Sequence, residues 1–221
     1  MVLLIWYSAF IGLNDAFKTY LIGDYMNAMK NLVSFGNNKL PKTTIIFNLG
    51  SATNCPSKKL GLCLCSSKCY AMKAEKLYPQ VFPYRERQAD YWHNTCKEQI
   101  FSDLSGIISK KRIKIDKLRL NESGDFTCQS DIDKMEWIAG KLFEQFQIVT
   151  YTYSARADLN FSACKFLRVK TSGYDNGNNG KTMVLLKGME KPENFIICPG
   201  DCKKCAICAS PKKINVTFPV H

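Results

Sequence analysis

Histidine is almost absent from this chain of 221 residues, which has only His93 and His221. A metal site built on several imidazoles, or a Ser–His–Asp triad, therefore has little to draw on. No G-x-x-x-x-G-K-S/T stretch and no G-x-G-x-x-G stretch occurs, so neither P-loop hydrolysis of ATP nor nicotinamide chemistry is indicated. Internal repeats and low-complexity tracts are also lacking. The opening run MVLLIWYSAFIGL is too short to span a bilayer, and Asn14, Asp15 and Lys18 follow it closely. It has no basic n-region and no small-residue cleavage site, so it does not read as a signal peptide. The expectation is a soluble protein of the cytoplasm with no membrane partner. Acidic residues are scarce, 19 against 31 Lys and Arg, for a net charge of +12. An anionic partner, nucleic acid first, fits that balance, and a solvated basic surface fits it equally well.

Cysteine, in contrast, is abundant. There are 11, an odd number that argues against a closed disulfide framework. Their positions say more. Cys55, Cys63, Cys65 and Cys69 lie in one loop, and Cys198, Cys202, Cys205 and Cys208 lie in the tail. Such close spacing suits thiolates converging on one metal, whereas disulfides usually join distant segments. Thiolate favours iron–sulfur clusters, zinc or copper(I). The loop spacing is irregular for structural zinc, which usually takes C-x2–4-C pairs, and iron–sulfur binding tolerates it better. The tail reads C-x3-C-x2-C-x2-C with a proline beside the outlying cysteine, the bacterial ferredoxin spacing in reverse. A closed zinc site that staples the tail is the alternative there. Cys96 and Cys164 read as packing residues, and Cys128 lies near a polar motif.

Residues 1–33 read as helical, and Gly36-Asn37-Asn38 marks a turn. The run 41–48 is rich in β-branched residues and reads as a strand leading directly into the Cys loop. YAMKAEKLY reads as a helix stopped before Pro79, and 84–109 as one long helix after Pro83. Further strands are expected at 114–120, 148–153, 166–171 and 183–186. A helix is expected at 130–146, with Ser130 as N-cap and Asp131 and Asp133 in its first turn. Alternating strands and helices point to an α/β fold with a mainly parallel sheet. Three segments divide the chain: helical 1–36, an α/β core at 37–190 and a Cys-rich tail at 191–221.

Ligands of such sheets sit at the carboxyl ends of the strands. The three core strands lead there into the Cys loop, into Asn121-Glu122-Ser123-Gly124-Asp125 and into Ser154-Ala155-Arg156. Glu122 and Asp125 are the candidate acid and base, or else capping carboxylates at a helix entry. Arg156 would grip a carboxylate or phosphate, or pair with Asp158 or Asp125 and only hold the loop. The basic run Lys110-Lys111-Arg112-Ile113-Lys114, followed by Lys117 and Arg119, reads more readily as a solvated loop than as a phosphate contact. The aromatic and basic residues Tyr78, Tyr84, Arg85, Arg87, Tyr91 and Trp92 are the other nucleic-acid candidates.

The segments TTIIFNLGSATNCPSKKLGLC, CYAMKAEKLYPQVFPYRERQ, LRLNESGDF, TYTYSARADL and CPGDCKKCAIC, in that order, resemble the phage "gene product 88" family over about residues 37–210. The Cys-rich loop after the first strand, Asn-x-Ser-x-Asp-Phe and the strand ending near Arg156 are also similar to phage proteins related to radical S-adenosylmethionine enzymes. That similarity implies a partial (β/α) barrel. It implies a [4Fe–4S] cluster on Cys55, Cys65 and Cys69, with Cys63 as competitor. Tyr70 would lie beside the cluster, with Glu122, Ser123 and Asp125 beside S-adenosylmethionine. The loop departs from the usual C-x3-C-x2-C by being longer and holding an extra cysteine.

The expectation is thus a phage-type iron–sulfur protein with one or two clusters, radical S-adenosylmethionine-like, acting on nucleic acid or a nucleotide. Glu122 and Asp125 would be catalytic, and Tyr70, Asn121, Ser123, Tyr153 and Arg156 would bind the cofactor. All eight clustered cysteines would be ligands. The alternative is a zinc-stabilised nucleic-acid-binding protein, or a zinc-bearing base-modifying barrel with Asp125 as nucleophile.

Overall fold

The computed structural model describes residues 31–64, 66–175 and 180–219. Cys65 and nearly all of the expected N-terminal helix lie outside them. The strands are β1 Ser34–Phe35, β2 Thr44–Phe47, β3 Lys117–Leu120, β4 Val149–Ser154, β5 Leu167–Ser172, β6 Lys181–Leu185, β7 Phe195–Ile197 and β8 Asn215–Pro219. They form one sheet in the order β1-β2-β3-β4-β5-β6-β8-β7. Only β1 is antiparallel; every other pairing is parallel. From β2 to β6 each strand lies beside the next in sequence, the progressive order of a (β/α) barrel rather than a doubly wound sheet. The expected α/β class with a mainly parallel sheet is what the chain adopts. The tail contributes β7 and β8 to that same sheet.

The two faces differ in chemistry because strand side chains alternate. Register puts Ile45, Leu118, Thr150 and Leu167 on one side, with Phe47, Leu120, Thr152 and Val169. That side forms the main core with helices α4, Lys97–Ser109, and α5, Gln129–Phe146, through Ile100, Leu104, Ile107, Ile132, Met135 and Ile138. The opposite side presents Arg119, Tyr151, Tyr153, Arg168 and Lys170. The sheet curls about this polar face. Tyr153 of β4 meets Phe218 of β8 edge to face, with ring centroids 5.6 Å apart, although β5 and β6 lie between them in the sheet.

Three shorter helices surround the Cys loop: α1 Pro56–Lys59, α2 Tyr70–Leu77 and α3 Val81–Asn94. The expected single helix over 84–109 is two, α3 and α4, because Thr95 and Cys96 are both extended. Lys134 donates to the carbonyls of Trp92 and Thr95, capping α3 with a cation where its dipole is negative. Helix α5 begins at Gln129, with Cys128 rather than Ser130 at the N-cap. The first turn is secured instead by Asp131, which accepts from the Thr127 amide at 2.7 Å and from Trp92 Nε1 at 2.8 Å.

Candidate metal and ligand site

Because β2 to β8 run parallel, the loops after them share one edge. Residues 48–69 follow β2, residues 121–128 follow β3, and Cys198 follows β7, its amide donating to Thr217 O at 2.8 Å. Both cysteine groups therefore gather on the edge where such sheets bind ligands.

Asp125 ties the loops of this edge together. Its Oδ2 accepts from Ser57 Oγ at 2.5 Å and from the Ala155 amide at 2.9 Å. Its Oδ1 accepts from Ser154 Oγ at 2.8 Å and from the Phe126 amide at 2.9 Å. The carboxyl is buried. Desolvation raises its pKa, and these four donors oppose the rise. One side chain thus joins the Cys loop, the β3 loop and the end of β4. Gly124 makes this approach feasible. Its φ is +75°, and a Cβ there would stand 2.7 Å from the Gly50 carbonyl oxygen.

A second buried carboxylate, Glu75 of α2, secures the start of the Cys loop. It accepts from the Ala52 and Thr53 amides at 2.7 and 3.0 Å, from Thr53 Oγ1 at 2.8 Å and from Arg85 Nη1 at 2.8 Å. Ser123 Oγ reaches the same carboxylate at 3.4 Å, and the Ser123 amide donates to Asn48 Oδ1 at 3.0 Å. Desolvation pushes the Glu75 pKa up, but the donors outweigh it and hold the value below the usual carboxylate range.

The other expected ligand-binding residues divide in two. Arg156 is committed to structure: Nε and Nη2 fork onto Asp158 at 2.7 and 2.6 Å, and Nη1 donates to the carbonyls of Phe126 and Thr127. Asn121, Glu122, Tyr70 and Tyr153 cluster elsewhere. Asn121 is left-handed (φ 55°), its Oδ1 accepts from the Leu49 amide at 2.9 Å, and its buried Nδ2 has no partner among the described residues. The Tyr70 hydroxyl donates to the Glu122 carbonyl at 2.8 Å, and the Glu122 carboxylate accepts from Asn37 Nδ2 at 2.5 Å.

Arg119 stands at the centre of this cluster. It is only 7% exposed, and its guanidinium lies 4.1 Å from the Tyr153 ring centroid. Nη2 donates to the Asn121 carbonyl at 3.2 Å, whereas buried Nη1 has no hydrogen-bond partner among the described residues. The tail lies across this face. Arg168 donates to the Ala209 carbonyl, and Lys170, fully buried, donates to the Ile214 carbonyl at 3.0 Å.

Two of the four tail thiols, Cys202 and Cys208, lie within the influence of these cations. Burial raises Cys202, and the charges of Cys208, Cys198 and Cys205 add to that, while Arg119 opposes it. Burial also raises Cys208, and the Tyr153 hydroxyl, Arg119 and Lys170 act the other way. Tyr151 is pushed up to about 12, chiefly by burial. In the loop, Cys55 is pushed up to about 11 by burial, with Asp125 and Cys63 near enough to add to the rise. Among the described residues no three such side chains already stand in a ligating arrangement. The donor set still fits a soft metal: four thiols in one turn-rich segment, with N–H and O–H donors and two buried cations around them.

The remaining candidates fall outside the cluster. Cys164 is half-buried, and burial pushes it up to about 12, as befits a packing thiol. Cys96, expected to pack, is exposed, because it occupies the break between α3 and α4. Cys128 is exposed, 3.0 Å from Ser130 Oγ. Trp92 is fully buried, Arg85 is paired to Glu75, and the Tyr91 hydroxyl meets Asp103 at 2.5 Å, so these three serve the interior rather than a nucleic-acid surface. Lys110 to Lys114 are exposed and precede β3, at the sheet edge opposite the cysteines. No described helix is long and apolar enough to cross a membrane.

Lys170 is a residue that sequence reading missed, and Arg119, expected with the basic run in a solvated loop, is instead a buried residue of β3. The signal was alternation. K-L-R-L and L-R-V-K-T-S place cations every second residue in strands of a parallel sheet, which are usually apolar throughout.

The gene product 88 family model matches residues 29–198, and the chain belongs to that family. No curated protein and no solved structure gives a significant match.

Proposed function

We propose that this member of the gene product 88 family is an iron–sulfur protein, with Cys198, Cys202, Cys205 and Cys208 holding a [4Fe–4S] cluster against the cationic face of the curled sheet. The placement of the Cys-rich tail across the cationic face, with Cys202 and Cys208 within reach of the Arg119 charge, supports this reading. A buried guanidinium with an unpartnered donor costs several kcal/mol unless a negative group meets it, and no carboxylate lies within ion-pair distance of Arg119 among the described residues. Its nearest electrostatic neighbours are Tyr153, Tyr70, Tyr151 and, more weakly, the Glu122 carboxylate, and its charge in turn favours the thiolates of Cys202 and Cys208. A four-thiolate centre is anionic, and Arg119, Lys170 and the Tyr153 hydroxyl are the donors such a centre takes around its sulfurs.

The loop cysteines 55, 63, 65 and 69 are the second set in this reading. Cys69 directly precedes Tyr70, whose hydroxyl meets the Glu122 carbonyl, and a radical S-adenosylmethionine-like centre on this loop would work there on a nucleotide or nucleic acid. Bound there, such a cluster and S-adenosylmethionine would supply one-electron chemistry. The chain's own contribution would be positional. Asp125 and Glu75 fix the loop, and Asn121 Nδ2 offers a buried donor to the cofactor.

Protein prepared without oxygen should contain iron and acid-labile sulfide in about equal amounts. Cys198→Ser with Cys205→Ser should remove one cluster's worth of both. Stoichiometric zinc without iron after anaerobic reconstitution would favour the zinc-stapled alternative, which uses the same four thiols. Addition of S-adenosylmethionine should alter the electron paramagnetic resonance of the reduced loop centre. An unaltered signal would rule out that part of the reading.

A further inference from the structure

Ser66, Ser67, Cys69, Met72, Lys73, Lys76 and Leu77 line an open groove of about 340 Å³, a volume in the range of small-ligand sites. Helix α2 supplies one wall. Tyr70, Lys73 and Leu77 recur at helical spacing and are all exposed, Tyr70 by 65% and Leu77 by 59%; Tyr70 stands beside the groove, its hydroxyl held by the Glu122 carbonyl at 2.8 Å. Lys68, in the turn of Ser66–Lys68 at the groove's rim, is exposed as well.

The charge of this surface has one sign. Between Cys55 and Tyr78 the single acidic residue is Glu75, which is buried and bound to Arg85. Nearby Glu86 is engaged by Asn54 Nδ2 at 2.8 Å. Exposed aromatic and apolar surface rimmed by lysines, with no free carboxylate among them, is the combination that tracks a phosphate backbone and stacks on unpaired bases. Duplex recognition has less to work with, since no helix–turn–helix or finger module is present in the sequence.

We propose that the groove between the Ser66–Lys68 turn and α2 binds single-stranded nucleic acid. Lys68, Lys73 and Lys76 would contact phosphates, and Tyr70 would stack on a base. The proposal rests on the polyanion part of the functional reading and delivers the strand beside Cys69. It does not require that either cysteine set hold iron rather than zinc.

The test measures fluorescence anisotropy of labelled oligodeoxythymidylate and oligouridylate with the full chain, and metal content is assayed on the same preparations. Binding should weaken with salt, and Lys73→Glu with Lys76→Glu should lower affinity by roughly tenfold or more. The same pair should reduce the log–log salt slope by about 1.4, two contacts at about 0.7 each on a single strand. Tyr70→Ala should weaken binding by about fivefold or more at every salt concentration. Lys110→Glu with Lys111→Glu, on the opposite edge, should change affinity by less than about twofold. An unchanged affinity in the Lys73/Lys76 variant would overturn the proposal, as would equal loss in the Lys110/Lys111 variant. So would equally tight, equally Lys73-dependent binding of polyglutamate, which would make the surface a site for acidic chains. Iron-loaded protein that ignores both oligonucleotides would sink this inference and leave the metal reading standing. Metal-free protein that binds them would do the reverse.

Discussion

Replacing Arg119 with Met has opposite consequences with and without a metal centre. In the metal-free chain the substitution removes a buried donor that lacks a partner, a defect worth about 1–3 kcal/mol. It also removes the stacking on Tyr153, worth about 0.5–2 kcal/mol, and the Nη2 hydrogen bond to the Asn121 carbonyl, worth about 0.5–1.5 kcal/mol. Gain and losses nearly cancel, so metal-free stability should move by no more than about 1–2 kcal/mol in either direction. With thiolates facing Nη1, the substitution deletes a charge-assisted hydrogen bond of about 1.5–3 kcal/mol. That corresponds to roughly 10- to 150-fold weaker metal retention at about 1.4 kcal/mol per tenfold. Chelator competition reads the retention, and urea unfolding of both forms reads the stability. Arg119→Lys should recover part of the retention, since the charge returns without the fork. Equal destabilisation of the two forms, with metal affinity unchanged, would show Arg119 to be a packing residue and remove the main support for the tail centre.

Glu75→Gln should destabilise the chain by about 3–5 kcal/mol by leaving Arg85 buried without its partner, measured by chemical denaturation. Its pKa is lowered in the fold, so its stabilisation is complete above the unfolded value, near 4.5. That stabilisation should fade as pH falls through the lower folded value, and the wild type, unlike Glu75→Gln, should show this acid-side loss. Gly124→Ala should cost more than about 1 kcal/mol, because φ is +75° and the new Cβ would meet the Gly50 backbone; a neutral melting temperature would contradict that. Asp125→Asn should loosen the Cys loop, since an amide cannot accept all four donors. Faster alkylation of Cys55 is the measurable sign, and an unchanged rate would count against the Asp125 tie.

How much of this could be read without coordinates follows from which forces are local. The β-branched runs TIIF and VTYTYS specify strands by themselves, and their order with the helices gives the parallel sheet. The loops that carry Asn121 to Asp125 and Arg156 fall on the binding edge for the same reason. Pairing choices were not legible. Arg156 takes Asp158 and not Asp125, a contest decided by loop geometry. The break at Thr95 was hidden because helical periodicity continues on both sides of it, and the deciding contact comes from distant Lys134. Arg119 was masked by its neighbours, since it follows a basic run and its burial depends on how far the sheet curls.

The progressive strand order has one exception at the end of the chain, where β8 enters between β6 and β7. Adjacent parallel strands must be joined by a crossover, and a helix normally fills that connection and supplies its apolar core. From 198 to 214 the crossover from β7 to β8 has no α-helix, only a turn at 202–204 and the short 3-10 turn Ile207–Ala209. All four tail cysteines lie inside it. On the proposed reading a metal would act as the interior of this connection, doing the space-filling and cross-linking of a missing helix. The last strand of the sheet would then be joined to its edge by inorganic bonds, and oxidation or chelation would unfasten the sheet from that side first.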